Sequence, residues 1–157
     1  MSSRPEITKA LTHAAVMHWV KLRYGAFTEL GLVKRGVLRA DVVSVNYRRH
    51  IVVTEVKSSW EDYNNGEHKF GYLNFCDQMY YLFTQALWDS GKIPKPSRGI
   101  GVMVLDEKTG HLRTVVKAKV QDLMTEEERY DVITRMAFRS ATFTKRNCKQ
   151  RTRVYIK

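Results

Sequence analysis

Two short β-rich segments separated by a turn constrain the fold of this chain more than any other feature. Residues 38–45 and 51–57 are both rich in β-branched side chains, and residues 46–49 between them are typical of a turn, so a hairpin is predicted. An acid interrupts each otherwise apolar segment, Asp41 in the first and Glu55 in the second. Because such positions usually carry Thr or Val, this polarity against the pattern marks a candidate functional site.

The spacing in the second segment places two polar side chains on one face. Side chains alternate along a strand, so Glu55 and Lys57 point the same way while Val56 points into the opposite layer. An antiparallel neighbour brings Asp41 beside Glu55, where the two carboxylates repel each other. A hard divalent cation such as Mg²⁺ removes that repulsion, because it prefers oxygen ligands. Lys57 is then placed to orient or deprotonate an attacking water, or to neutralise charge on a phosphate.

The same three residues also have a plainer interpretation. A Glu-x-Lys pattern is common on the polar face of a half-exposed strand, and Asp41 on the next strand would then form a simple cross-strand ion pair. Taken alone, a motif this short is compatible with either a site or a solvated face.

Several separate blocks of sequence add a second signal. They are Arg39-Ala40-Asp41, Glu55-Val56-Lys57-Ser58-Ser59 followed by Asp62, Glu67-His68-Lys69-Phe70, Tyr72, and Cys76-Asp77. Together these blocks resemble the PD-(D/E)xK nuclease superfamily, and more closely the MmcB-like family of DNA-repair nucleases. The similarity is close over residues 29–83 and looser elsewhere. Departures are Ala40, where many superfamily members have proline, and Glu67 and Phe70, where the closer family has Asp and Trp.

The resemblance implies a fold, a cofactor and a set of site residues. Asp41 and Glu55 would be metal ligands, the Val56 carbonyl a further ligand and Lys57 the catalytic lysine. Glu29 would be the additional acid that many superfamily members carry upstream. The cofactor implied is Mg²⁺, with Mn²⁺ able to substitute, and the product a 5′-phosphate. Residues expected to contact nucleic acid, from these blocks and from the basic end of the chain, are Arg39, Ser58, Lys69, Lys145, Arg146, Lys149 and Arg151.

The charge of the chain is high and unevenly distributed. A net charge of +11 points to a polyanionic partner, most simply DNA, although basic ribosomal or membrane-surface proteins share this property. Six lysines and arginines lie in the last fifteen residues without an acid, which leaves +5 for residues 1–142. We therefore predict a nuclease-like domain over residues 1–142 and a basic tail over residues 143–157. A solvated terminus, or a short strand at residues 154–156, is the alternative.

Length and cysteine content set the broad class. A chain of 157 residues, 43% hydrophobic, suits one domain with its own core. Cys76 and Cys148 lack the paired spacing of a zinc site, and both are expected to be buried or inert. With two cysteines, no signal peptide and no apolar stretch near eighteen residues, we expect a soluble protein of the cytoplasm with no membrane contact.

Hydrophobic spacing and turn signals predict one α/β domain with a central mixed sheet flanked by helices, a restriction-endonuclease-like core. Helices are predicted over residues 4–24, 67–77 and 125–141, and the first and last of them begin at capping boxes, residues 3–6 and 125–128. Strands are predicted over residues 26–30, 38–45, 51–57, 79–84, 100–105 and 112–116. The predicted inner face of the first helix comprises Ile7, Leu11, Ala14, Ala15, His18 and Leu22. Residues 79–84 also fit a helix, and the family resemblance favours a strand. Residues 60–66 are read as a polar segment without an assigned helix or strand, and residues 85–99 are predicted to be irregular.

The function predicted from these observations is that of a Mg²⁺-dependent DNA endonuclease of repair or recombination type. The alternative is a catalytically inactive nuclease-fold protein that binds nucleic acid or a protein partner, because function does not follow from fold. A nuclease acting on RNA shares every feature named above. A homodimer also stays open, because an enzyme that cuts a symmetric junction needs two sites.

Overall fold

A computed structural model describes residues 3–33, 38–66 and 70–154, without the side chains of residues 70 and 143–154. Within these residues the chain forms six strands and four α-helices. The strands are β1 (Gly25–Gly31), β2 (Arg39–Val45), β3 (Ile51–Val56), β4 (Gln78–Thr84), β5 (Gly101–Leu105) and β6 (Leu112–Val116). The helices are α1 (Arg4–Lys21), α2 (Trp60–Asn65), α3 (Gln85–Asp89) and α4 (Glu126–Val154), and a 3₁₀ helix spans Phe70–Phe75.

The six strands form one mixed sheet and lie side by side in chain order. Strands β1, β2 and β3 are an antiparallel meander, β4 runs parallel to both β3 and β5, and β6 returns antiparallel to β5. The predicted α/β class, the mixed sheet and all six predicted strands are confirmed. The arrangement is that of a restriction-endonuclease-like core.

Helix α1 covers one face of the sheet. Its first turn is stabilised by the Ser3 N–H, which donates to the Glu6 carboxylate at 2.6 Å, as the capping-box pattern predicts. Trp19 is buried against the sheet, and its indole N–H donates to the Thr54 hydroxyl at 3.0 Å. The predicted inner face omitted Trp19 and included Leu22, which is 54% exposed. That part of the prediction is wrong because the helix ends before Leu22 can face the sheet.

The 3₁₀ helix, α2 and α4 cover the opposite face, where aromatic side chains dominate the core. Tyr63 packs edge to face against Phe83 of the sheet at 5.7 Å between ring centres, and Tyr72 and residues of α4 belong to the same core cluster. The aromatic side chains of β4 are therefore part of the core. Cys76 is fully buried there, and burial, followed by the nearby Asp77 charge, raises the pKa of its thiol to about 12. The expectation that Cys76 is buried is confirmed.

Two segments in which no helix was predicted contain short helices. Residues 60–66 include α2, because the Ser59 hydroxyl accepts the Asp62 N–H at 3.1 Å and caps the first turn. Residues 85–99 begin with α3, which the Thr84 hydroxyl caps in the same way. Both predictions overlooked a hydroxyl side chain at a helix start.

Two predicted helices differ in type or length. The described part of the helix expected over residues 67–77 is the 3₁₀ helix, and residues 67–69 lie outside the description. Helix α4 begins at the predicted Thr125 capping box but runs to Val154, well beyond residue 141. No proline or glycine occurs over residues 125–154 to end it. The predicted boundary at residue 142 falls inside this helix, and Val154 is helical, not part of a strand.

Candidate active site

Asp41 and Glu55 meet where the ladder between β2 and β3 ends. Val42 pairs with Thr54, so the next residues in register are the two acids. The Asp41 N–H donates to Glu55 Oε1 at 3.0 Å, and the Val56 N–H donates to Asp41 Oδ2 at 2.8 Å. Each carboxylate is therefore oriented by the backbone of the neighbouring strand. The prediction that the hairpin brings these two acids together is confirmed.

The peptide between Val56 and Lys57 is fixed on the other side of β3. The Lys57 N–H donates to the Leu82 carbonyl of β4 at 3.0 Å. In a trans peptide the C=O points away from the N–H, so the Val56 carbonyl points back towards β2. This direction is the one that its predicted role as a metal ligand beside Asp41 requires.

Glu55 is an acid in a buried, aromatic environment. Only 1% of the surface of Glu55 is exposed. In the parallel pairing of β3 with β4, Glu55 lies beside Tyr81. Burial, then Tyr63, then the Glu55 charge raise the pKa of Tyr81 to about 12. Burial, then the charges of Glu55 and Asp41, raise the pKa of Tyr72. Both phenols therefore stay protonated, and the Tyr72 hydroxyl donates to the Arg39 carbonyl at 2.6 Å.

Lys57 lies one residue beyond the end of β3 and is 8% exposed. In the part of the chain that the structure describes, no carboxylate forms an ion pair with its ammonium group. Because little water surrounds this side chain, its charge is only weakly screened from nearby anions.

The residues after Lys57 are held onto helix α2. The Ser58 N–H and hydroxyl both donate to Asp62 Oδ2, at 3.0 and 3.2 Å, and Arg4 forms an ion pair with the same carboxylate at 3.2 Å. The Ser58 hydroxyl, predicted to contact nucleic acid, is thus bonded within the protein. Asp62 has a clear structural role, because it fixes the chain direction just after the lysine.

Gly66 closes the wall of the site beside the lysine. A Cβ added to Gly66 would lie 2.9 Å from Lys57 Nζ and 2.9 Å from the Asp62 carbonyl oxygen, which is closer than real Cβ contacts. Neither Gly66 nor Tyr81 was assigned to the site from the sequence. The register of Tyr81 with Glu55 follows from the parallel pairing of β3 and β4, which only the structure supplies.

Replacing Gly66 with alanine is expected to destabilise the protein by about 1–3 kcal/mol, the usual effect of adding a methyl group to a filled space. The contact with Asp62 involves backbone and cannot be relieved by rotating a side chain. Urea unfolding followed by circular dichroism measures the change. Gly71→Ala is the matched control, since its new Cβ would meet only Leu38 at 3.9 Å. Equal stability of the two variants would contradict the close packing at Gly66.

Glu29 and Arg39 form an ion pair of their own at the edge of the site. Arg39 Nε lies 2.8 Å from Glu29 Oε2, and both side chains are more than half exposed. Glu29 lies in β1 with a left-handed backbone, φ 54°, between residues that pair with β2. Among the described residues, no group of three or more acids, histidines or cysteines is arranged to hold a metal. Glu29 is therefore not joined to Asp41 and Glu55.

The remaining predicted contacts fall outside what the structure describes. Lys69 is not among the described residues, and the side chains of Lys145, Arg146, Lys149 and Arg151 are not described either, although their backbone belongs to α4. The side chain of Cys148 is likewise not described. Nucleic-acid contact by these residues stays a prediction.

The fold and the site define an α/β protein of restriction-endonuclease-like architecture, with two acids and a buried lysine at the end of its central hairpin. The sequence model of the family described as "DNA repair protein MmcB-like" matches residues 2–149. The chain therefore belongs to the MmcB-like family of DNA repair proteins, as its sequence blocks predicted. No curated protein matches it.

A solved structure shares this fold. It is a protein of unknown function from Silicibacter pomeroyi, with a TM-score of 0.74 and 21% sequence identity over 87% of this chain and 88% of that chain. The likeness concerns the fold alone. In the described residues, no helix combines the length and the apolar composition needed to cross a membrane.

Proposed function

We propose that this protein is a metal-dependent DNA endonuclease that hydrolyses phosphodiester bonds during DNA repair. The observation that supports this best is the arrangement of Asp41 and Glu55, each oriented by backbone of the adjacent strand, next to a buried lysine. Membership of a DNA repair family supports DNA as the substrate, and the net charge of +11 favours a polyanionic partner.

The donor set fits Mg²⁺, with Mn²⁺ as a substitute. Mg²⁺ in proteins is commonly bound by one or two carboxylates together with waters and substrate phosphates, so Asp41 and Glu55 suffice when DNA is bound. The Val56 carbonyl, which points towards β2, is proposed as a further ligand, and Glu29 is left to its pair with Arg39. When bound, the ion stabilises the charge that develops on the phosphate.

Lys57 supplies a positive charge that no described carboxylate neutralises. In a site nearly shielded from water, an ammonium group acts on a nearby anion far more strongly than it does in solution. We assign it to orient the attacking water or to stabilise the negative charge that forms on the phosphate oxygens. Arg39 pairs with Glu29 through its Nε at the exposed rim, and we propose that its remaining guanidinium nitrogens contact a phosphate of the DNA backbone.

The test is cleavage of labelled single-stranded, duplex, flap and four-way-junction DNA with Mg²⁺, Mn²⁺ or EDTA, comparing wild type with Asp41→Asn. We expect cutting only with metal, and a metal requirement at least about tenfold higher in Asp41→Asn, because one charged ligand is lost. Ligation of the products checks for 5′-phosphate ends. Cutting in EDTA at the wild-type rate would contradict the proposal.

If the DNA stays intact in every lane while binding is retained, the alternative of a catalytically inactive nuclease-fold protein that binds nucleic acid would be favoured. The affinity of such a protein would fall with salt at a slope of about −0.9 per phosphate contacted.

A further inference from the structure

The end of β2 opposite to Asp41 carries two adjoining clefts. The first, of about 560 Å³, lies between the turn after α1 and the turn between β2 and β3. The second, of about 470 Å³, shares Tyr24 and Asn46 with the first and extends to the start of α4. Asn46 lies five positions after Asp41, which corresponds to roughly 17 Å along the strand at about 3.4 Å per residue. These clefts are therefore distinct from the carboxylate site.

Two aromatic rings line the first cleft in different ways. Tyr47 is 100% exposed, so its ring contributes nothing to the core. Tyr24 is held in place by edge-to-face contacts with Trp19 at 5.2 Å and with His50 at 6.5 Å between ring centres. A ring without packing partners at the mouth of a cleft offers both of its faces to a ligand.

The charges around the clefts favour an anion. Among the described residues, four arginines line the clefts against two acids, and both of these acids are paired. Asp77 binds Arg129, and Glu126 binds Arg49 at 3.0 Å. No described acid pairs with the two other arginines, Arg23 and Arg48.

The backbone adds an independent observation. Arg23 and Arg49 have left-handed conformations, with φ of 64° and 62°. Glycine or asparagine adopts this conformation more easily, and other residues pay roughly 1–2 kcal/mol. The turns on both sides of the clefts therefore carry arginine where local geometry favours a smaller residue. Such departures from local preference concentrate at functional positions.

We propose that these clefts bind a single-stranded segment of DNA, with a base stacked on Tyr47 and neighbouring phosphates held by Arg23 and Arg48. An aromatic face can stack only with a base that is not already stacked inside a duplex, so Tyr47 selects single-stranded DNA. Arginine provides the charge for phosphate contact. If the proposed nuclease function holds, a strand bound here would make DNA with a single-stranded segment near the cut the preferred substrate.

The test is binding of a fluorescent single strand of about 15 nucleotides, and of the duplex of the same sequence, measured by anisotropy in EDTA. Tyr47→Ala is expected to weaken single-strand binding about 5- to 100-fold and leave duplex binding within about twofold, because stacking on one base contributes that much. Tyr47→Phe should keep the affinity, since the ring is what stacks. Arg48→Ala should weaken the dependence of the single-strand affinity on salt by the amount that corresponds to about one phosphate contact.

Tyr130→Ala is the matched control, because Tyr130 is also an exposed tyrosine and lines neither cleft. Wild-type affinity in Tyr47→Ala, equal losses for single strand and duplex, an equal loss in Tyr130→Ala, or a strong preference for RNA of the same sequence would each overturn the proposal. All of these measurements are made without metal. A protein that binds as expected but cuts no DNA would therefore contradict only the nuclease function.

Discussion

The Lys57→Ala variant is expected to lose DNA cleavage by about 100- to 1000-fold in kcat while its affinity for DNA stays within about threefold. Removing one group that stabilises developing charge typically has an effect of this size. The residue is 8% exposed, and no described carboxylate forms an ion pair with it, so we assign its charge to the phosphate in the proposed mechanism. Binding should persist because the other basic residues of the chain remain.

The experiment is single-turnover cleavage with saturating Mg²⁺, together with anisotropy binding in EDTA. Lys57→Met separates charge from packing, because methionine fills much of the same space without the ammonium group. Lys108→Ala controls for loss of one positive charge, since Lys108 lies in the exposed turn between β5 and β6. Thermal unfolding confirms that each variant is folded. Cleavage by Lys57→Met at the wild-type rate would remove the lysine from the mechanism.

The Arg129→Ala variant is expected to lose about 2–4 kcal/mol of stability. Arg129 donates two hydrogen bonds to Asp77, at 2.7 and 2.8 Å, and a third to the Arg49 carbonyl at 2.7 Å. The side chains of Asp77 and Arg129 are only 9% and 16% exposed. Removing one partner of a buried pair typically costs about 3–5 kcal/mol, because the other charge stays buried without its partner. The partial exposure of Asp77 and Arg129 makes the expected loss smaller than that.

The same pair makes stability depend on pH. Burial opposes ionisation of Asp77, but hydrogen bonds from Arg129 and the Ile51 N–H outweigh it and lower the pKa of the carboxyl below its usual range. A lowered pKa in the folded state means that the stabilisation is complete above the unfolded pKa, about 3.9, and is lost as pH falls through the folded value. The difference between wild type and Arg129→Ala should therefore shrink below about pH 4.

Urea unfolding at pH 7 and at about pH 3 measures both effects. Arg4→Ala is the control, because Arg4 pairs with Asp62 while 61% of its side chain is exposed, and such pairs contribute about 1 kcal/mol or less. If Arg129→Ala were no more destabilising than Arg4→Ala at pH 7, the pair would not be what holds α4 to the sheet.

The sequence by itself was sufficient to predict those structural features that depend on residues close together in the chain. Alternation along β3 put Glu55 and Lys57 on one face, and the β-rich segments on both sides of a turn predicted the hairpin that places Asp41 beside Glu55. The starts of α1 and α4 followed from capping boxes, because such caps involve residues three apart.

Contacts between distant residues were decided only by the tertiary structure. Arg129 and Asp77 are 52 positions apart, and nothing in either segment indicates that they bind each other. Arg39 was predicted to contact nucleic acid and Glu29 a metal, yet the fold brings them together as an ion pair. Gly66 lies beside Lys57 only because α2 turns the chain back onto the site. A side chain's nearest partner depends on how whole elements pack, and local sequence preferences do not specify that packing.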